Sequence, residues 1–326
     1  MKSFKMALPK TLDGAVRVLG SDFDKTPIMA GGTDLLAAVK EHITEPDMVV
    51  NLKGIKGISD VVETEAGLEI GALVKLDELA GNKLVANGWA ALVDSVASTA
   101  TPQIRNVGTI GGNLCQRPRC WYFRHEDYNC TKKGGHECYA FEGENTYHAI
   151  FGTGMCQIVH PSNLAGPLIA YDAKIEIQGP KGSRTVALED FFVTPEQNIK
   201  RENILKPNEI LTKILIPKAS ASKNSSYYET REKESFDWAL CGASFNLKMD
   251  GKTITQARVV FNAVAPVPIR RKDLEKMLVG QKASDSLFEK VSKAAVKTAT
   301  PLHQNEYKID LLKTVIVRGL KKATEA

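Results

Sequence analysis

The chain has 326 residues, of which 43% are hydrophobic and 25% charged, and its formal net charge is +5; this is enough for one to three globular domains with a true core. The positive charge is spread out, with a run at Lys313–Lys322 that reads as a solvated face. No basic stripe interleaved with aromatics is present, which argues against a nucleic-acid partner. No run of about 18 apolar residues exists, so no membrane span is expected.

In chain order, a helical pattern covers Thr11–Val18 and a short apolar run, Thr26–Ala30, reads as a strand. That run stops at Gly31-Gly32-Thr33-Asp34, a helix-like segment follows from Leu35 to Val39, and Met48–Leu52 reads as another strand. These make up a first region, 1–55. A second region, 56–217, opens with a strand at Leu68–Val74, a helix from about Asp77 (the expected N-cap) to Ala86, and a helix at Ala90–Ser98. A glycine-rich loop, Thr101–Leu114, leads into a cysteine-rich segment. His160–Ile177 reads as a helix into a strand, Lys181–Phe192 as a hairpin leading to a turn, and Glu209–Lys218 as a strand. Ala219–Ser225 is a polar linker, placed here as the boundary of a third region, 218–326. There, strands at Phe245–Met249 and Ile254–Val264 precede two or three helices between Arg271 and Lys321, an α+β pattern.

The loop at Ala30–Asp34 lies between a strand and a helix. Adjacent glycines let successive N–H groups converge on an anion, and a helix N-terminus adds partial positive charge. Diphosphate binding and a plain tight turn both satisfy it, and it is neither GxGxxG nor a Walker motif. The loop Gln103–Asn113 is too glycine-rich and apolar for an ordinary exposed loop; it suits backbone packed against a flat ligand, with Thr109 and Asn113 as hydrogen-bond partners.

Of the six cysteines, Cys115, Cys120, Cys130, Cys138 and Cys156 cluster in one segment, while Cys241 stands apart as a buried strand residue. Without a secretory signal (the start, MKSFKMALPKTLDGAV, has no apolar core), clustered thiols favour metal over disulfides. Cys120, Cys130, Cys138 and Cys156 are separated by nine, seven and seventeen residues. Close CxxC pairs typical of structural zinc are absent, whereas a 4Fe–4S cluster needs four cysteines and tolerates irregular spacing. Arg117, Arg119, Arg124, Lys132 and Lys133 could offset the negative charge of such a cluster, or simply confer solubility. His125, His136, His148 and His160 lie in or beside the segment and read as solvated or locally hydrogen-bonded rather than as ligands.

The ordered set AGGTDLL, IGALVKLDELA, QIRNVGTIGGNL and HPSNLAGPLIAYDAKIEI, with RxKxSFDWA near 231–239, resembles the flavoprotein subunit of the xanthine dehydrogenase / carbon monoxide dehydrogenase / aldehyde oxidoreductase group over essentially the whole chain. The resemblance implies an α+β protein: a two-subdomain α/β FAD-binding domain of the PCMH / vanillyl-alcohol-oxidase type, then an α+β C-terminal domain. It implies that Ile28, Met29, Ala30, Gly31, Gly32, Thr33, Asp34 and Leu35 wrap the FAD diphosphate. Ile104, Gly108, Thr109, Gly112 and Asn113 would line the ribityl and ring region. Asn163 stands where relatives have aspartate and would hydrogen-bond a ribityl hydroxyl; Glu229 stands where relatives often have lysine, so no cofactor contact is assigned to it. The segment at about 114–158 is an insert that resembles those of the 4-hydroxybenzoyl-CoA reductase and periplasmic aldehyde oxidoreductase flavin subunits. Those inserts carry a 4Fe–4S cluster, which implies Cys120, Cys130, Cys138 and Cys156 as ligands here. Cys115 is then surplus, with an exchange between Cys115 and Cys120 left open.

The implied role is electron transfer within a molybdenum hydroxylase, an oxidoreductase whose substrate chemistry belongs to another chain. The implied partners are a molybdenum-cofactor large subunit, a 2Fe–2S small subunit and an external carrier such as ferredoxin. No catalytic residue is assigned. A stand-alone FAD oxidoreductase and a zinc-binding structural subunit are the rivals. The expected location is the cytoplasm, or the periplasm only by co-export with a signal-bearing partner.

Overall fold

Thr11 caps the first helix, Leu12–Val18, by accepting the Gly14 N–H at 3.1 Å, and its apolar face buries Ala15 and Val16. Behind it lies a three-stranded parallel sheet in the order Lys5–Ala7, Met48–Asn51, Ile28–Met29. Such short parallel strands need connections over a face, and the segments through Leu12–Val18 and Leu35–Lys40 supply them. The small core of this unit, Ala15, Val50, Leu52 and Ile55, is completed by Leu73 and Ile210 from the next unit.

This computed structural model describes residues 1–152, 154–233 and 236–325. The second unit is built on a five-stranded antiparallel sheet ordered Val61–Glu63, Gly67–Gly71, Ile210–Pro217, Lys174–Gly179, Gly182–Ala187. Alternate residues of the central strands, such as Ile175, Ile177, Ile214 and Ile216, face a core shared with Leu92, Val96, Leu168 and Tyr171 from the covering helices. The third unit is a four-stranded antiparallel sheet ordered Ile269–Arg270, Thr253–Asn262, Ala239–Asp250, Ser225–Arg231. It is covered by the helices Lys272–Leu278, Asp285–Ala295 and Lys308–Thr324.

The α+β class is as expected, and local details differ. The helix expected over Asp77–Ala86 is two, Leu76–Ala80 and Lys83–Ala86. Gly81 ends the first and the Asn82 side chain caps the second by accepting Leu84 N–H, so Asp77 is a first-turn residue and not the cap. The loop expected over Thr101–Leu114 contains two short helices, Pro102–Arg105 and Ile110–Cys115, each started by a threonine hydroxyl that accepts a backbone N–H. The strand Ser225–Arg231 begins where the linker was expected to end. Among the described residues no helix is long and apolar enough to cross a membrane.

Candidate functional site

The two glycine loops meet backbone to backbone. A Cβ at Gly31 would lie 2.4 Å from the Val107 carbonyl oxygen and 3.0 Å from Gly108 Cα, so any side chain there pushes the loops apart. Gly32 adopts φ +83°, which turns the chain out of the strand Ile28–Met29 at little steric cost. Together they form the floor of a cavity of about 480 Å³, within the range of a cofactor pocket. Of the residues expected to wrap a cofactor, Ile28, Ala30–Leu35, Ile104, Gly108, Thr109, Gly112, Asn113 and Asn163 all line this cavity. Met29 does not: alternation along the strand turns its side chain into the interior, where it is 8% exposed.

The polar groups of the cavity are partly committed. Thr109 Oγ1 accepts the Gly112 N–H at 3.1 Å as a helix cap. Asn113 Oδ1 accepts from Ser162 Oγ at 2.6 Å, leaving its amide N–H groups for a ligand. Asn163 Nδ2 donates to Glu229 Oε2 at 2.6 Å and to the Tyr227 hydroxyl at 3.3 Å, so what Asn163 keeps for a ligand is its carbonyl oxygen, an acceptor. Glu229 is buried and also pairs with Arg231 at 2.7 Å. Burial raises its carboxyl above the usual range, against the hydrogen bond from Tyr227 and the charge of Arg231.

Asp34 lines the cavity and also ties it to the cysteine insert. Its side chain makes no cap on the helix it precedes. Instead Asp34 accepts the Arg117 backbone N–H at 2.9 Å, Arg124 Nη2 at 2.7 Å, and Arg119 Nη1. Burial works against the charge, but Arg119 and Arg124 hold the carboxyl below its ordinary value. The start of the cysteine insert is therefore fastened to the first glycine loop. Cys115, Arg117 and Arg119 join the cavity wall, and Arg119 stacks 4.6 Å from the Trp238 ring, which lines it too. None of these was assigned from the sequence. Trp238 lies in the RxKxSFDWA motif, whose Ser235 is outside the described residues, and that motif was the one available signal.

A second, small cavity is lined by Cys120, Cys130, Cys138 and Cys156 together with His148. Cys115 lines the other cavity, whereas Cys120, Cys130, Cys138 and Cys156 lie together here. Among the described residues no group of three or more His, Cys, Asp or Glu is placed to hold a metal ion. The donor set nevertheless fits a thiolate-bound centre. Burial pushes the Cys120 thiol up to about 12, and backbone N–H groups of Phe123 and Tyr122 act in the opposite sense. Cys138 and Cys156 share a hydrogen bond that makes Cys138 the more acidic of the two; burial opposes this, and the backbone N–H groups of Gln157 and Ala140 support it. Backbone N–H groups that donate to sulfur favour its thiolate form.

The basic residues of the insert are spent mainly on carboxylates. Arg117 and Lys132 pair with buried Glu202 at 3.2 and 2.7 Å, and Arg119 and Arg124 with Asp34. Lys133 Nζ donates to the His125 carbonyl. Lys132 alone among them also acts on a thiol, lowering Cys156 against the larger effects of Cys138 and burial. His125 and His136 are exposed, whereas His148 and His160 are buried and not solvated. Burial brings each of the latter two down to about 4. Cys241 is a buried strand residue beside Thr230 Oγ1 at 3.2 Å.

Comparison with known proteins agrees with this geometry. Residues 2–219 match the FAD binding domain in molybdopterin dehydrogenase, and residues 226–323 the CO dehydrogenase flavoprotein C-terminal domain. The chain is 32% identical to the aldehyde oxidoreductase FAD-binding subunit PaoB of Escherichia coli, over 95% of this chain and 93% of that one. It is 27% identical to the nicotinate dehydrogenase FAD-subunit of Eubacterium barkeri, over 86% and 81%. A cyanide-inactivated Cu,Mo-CO dehydrogenase structure superposes with a TM-score of 0.78 at 22% identity, covering 99% of this chain and 98% of that one. The cavity that the glycine loops floor is the candidate flavin site, and the chain belongs to the FAD-binding subunits of the xanthine dehydrogenase / CO dehydrogenase family of molybdenum hydroxylases.

Proposed function

We propose that this subunit carries electrons between the 2Fe–2S clusters of a small subunit and an external acceptor or donor. In this reading FAD lies in the cavity floored by the two glycine loops and a 4Fe–4S cluster lies on Cys120, Cys130, Cys138 and Cys156. The observation that carries the reading is the convergence of those four thiols, dispersed in sequence, on one cavity whose sulfurs meet backbone N–H groups. FAD, when bound, supplies the exchange of electrons one or two at a time. The chain's own part is to hold it: the backbone of Gly31, Gly32 and Gly108 lines the cavity floor, while Asn113 offers donors and Asn163 an acceptor. The partners are a molybdenum-cofactor large subunit and a 2Fe–2S small subunit, with a one-electron carrier such as ferredoxin at the cluster.

The test is the visible spectrum of anaerobically purified chain, with iron, sulfide, zinc and flavin assayed on one sample. Flavin bands over a broad shoulder, with about four irons per flavin as ligation of one cluster by four cysteines demands, are expected. Flavin with zinc or with no metal removes the cluster from the reading, and well-folded protein without flavin removes the reading itself.

A further inference from the structure

His148 is a histidine with no solvent to serve. Its ring is buried, lines the four-thiol cavity, and brings Nε2 to 3.2 Å from Cys120 Sγ. The ring is fixed from several sides. Trp121 packs edge-on with centroids 5.6 Å apart, and Tyr122 lies at 6.2 Å. The His148 backbone N–H donates to the Asn145 carbonyl at 3.0 Å. Its own carbonyl accepts from Asn305 Nδ2 at 3.2 Å and Lys308 Nζ at 3.0 Å. The other ring nitrogen, Nδ1, is buried and has no partner.

We propose that His148 donates its Nε2–H to the sulfur of Cys120 and, as a positioning residue rather than a ligand, raises the reduction potential of the cluster held by the four cysteines. This rests on the cluster reading given above. A cysteine bound to iron is a thiolate and has no proton to give, so a contact of 3.2 Å between that sulfur and Nε2 needs the proton on nitrogen. The opposite arrangement puts a proton on Nδ1, and this leaves a buried N–H without an acceptor. A hydrogen bond to a ligand sulfur draws electron density away from the cluster and favours its reduced, more negative form. The backbone N–H groups of Tyr122 and Phe123 act on the same sulfur, so Cys120 receives donors from both chain and side chain.

The test uses the full chain, purified anaerobically with its flavin, as wild type, His148→Leu and His148→Gln. Iron, sulfide and flavin are assayed on each, and the midpoint potential of the cluster is read by EPR-monitored titration. His148→Leu is expected to keep the wild-type iron content with a potential shifted to more negative values. His148→Gln, which restores an N–H donor, is expected to return part of the shift. An unchanged potential in an iron-loaded Leu variant overturns the role of His148 and leaves the cluster reading standing. Iron-free wild type that still binds flavin overturns the cluster reading, and the role of His148 with it. If the Leu variant loses iron, pulsed EPR of the reduced wild type with isotope-labelled histidine decides. A weak imidazole coupling supports donation to sulfur, and the strong coupling of a bound nitrogen, or none, overturns it.

Discussion

Asp34 shows how a residue can line a candidate binding cavity and also fasten a distant segment to it. Its carboxylate, 21% exposed, is met by two guanidinium groups and a backbone N–H from the insert. Removing one partner of a mostly buried ionic cluster leaves the others uncompensated, so Asp34→Asn is expected to cost about 2 kcal/mol of stability and to loosen the flavin. Denaturant unfolding and flavin release measure both. Because the folded carboxyl lies below its unfolded value of 3.8, its stabilisation is present above that value and is lost as pH falls through the lower, folded one. Wild type should therefore lose more stability than Asp34→Asn on acidification below about pH 4, and equal losses would show that the arginines do not hold the charge. The AGGTDLL motif announces Asp34, but nothing local announces its partners, which are brought from 83 to 90 positions away. The sequence accordingly marks the residue and leaves its role illegible.

Elements short in sequence were legible where one face is buried and hidden where capping decides. The strand Met48–Asn51 and the helix Leu12–Val18 carry their own periodicity. The break at Gly81-Asn82 depends on one side chain turning back onto Leu84 N–H, and Thr101 and Thr109 convert an apparent loop into two helices in the same way. The end of the insert was less legible still, because its support comes from the last helix. Lys308, at the start of Lys308–Thr324, is wholly buried and donates to the carbonyls of Tyr147, His148 and Ala263 at 3.3, 3.0 and 3.1 Å. Burial brings its ammonium down to about 8. Lys308→Met keeps the stem but takes the Lys308 donor from the carbonyls of Tyr147 and Ala263, leaving that of His148 only Asn305, and should cost about 3 kcal/mol in denaturant unfolding. Proteolysis or hydrogen exchange should report the loss first at 145–149. A variant as stable as wild type would mean that the carbonyls find other donors.

Across the whole molecule the two cavities are joined by one peptide bond. Arg119 lines the candidate flavin cavity and Cys120, the next residue, lines the thiol cavity, with Cα atoms about 3.8 Å apart. Arg119 and Arg124 reach back to Asp34 in the flavin loop, while Arg117 and Lys132 reach Glu202, whose carboxyl they hold below its usual range against burial. A cofactor that fixes Cys120 therefore also fixes the arginines that fasten the flavin loop. Coupling of this kind is reciprocal in binding free energy and typically amounts to about 1–3 kcal/mol. Cys130→Ser, altered at a thiol that none of these arginines pairs with, should release flavin several-fold more readily than wild type. By the same linkage, with the proposed cluster in place, wild type stripped of flavin should give up iron faster to a chelator. Both are read by equilibrium dialysis under anaerobic conditions. If flavin affinity in Cys130→Ser equals that of wild type, the Asp34 clamp is rigid by itself, and the insert contributes to the flavin site only its side chains.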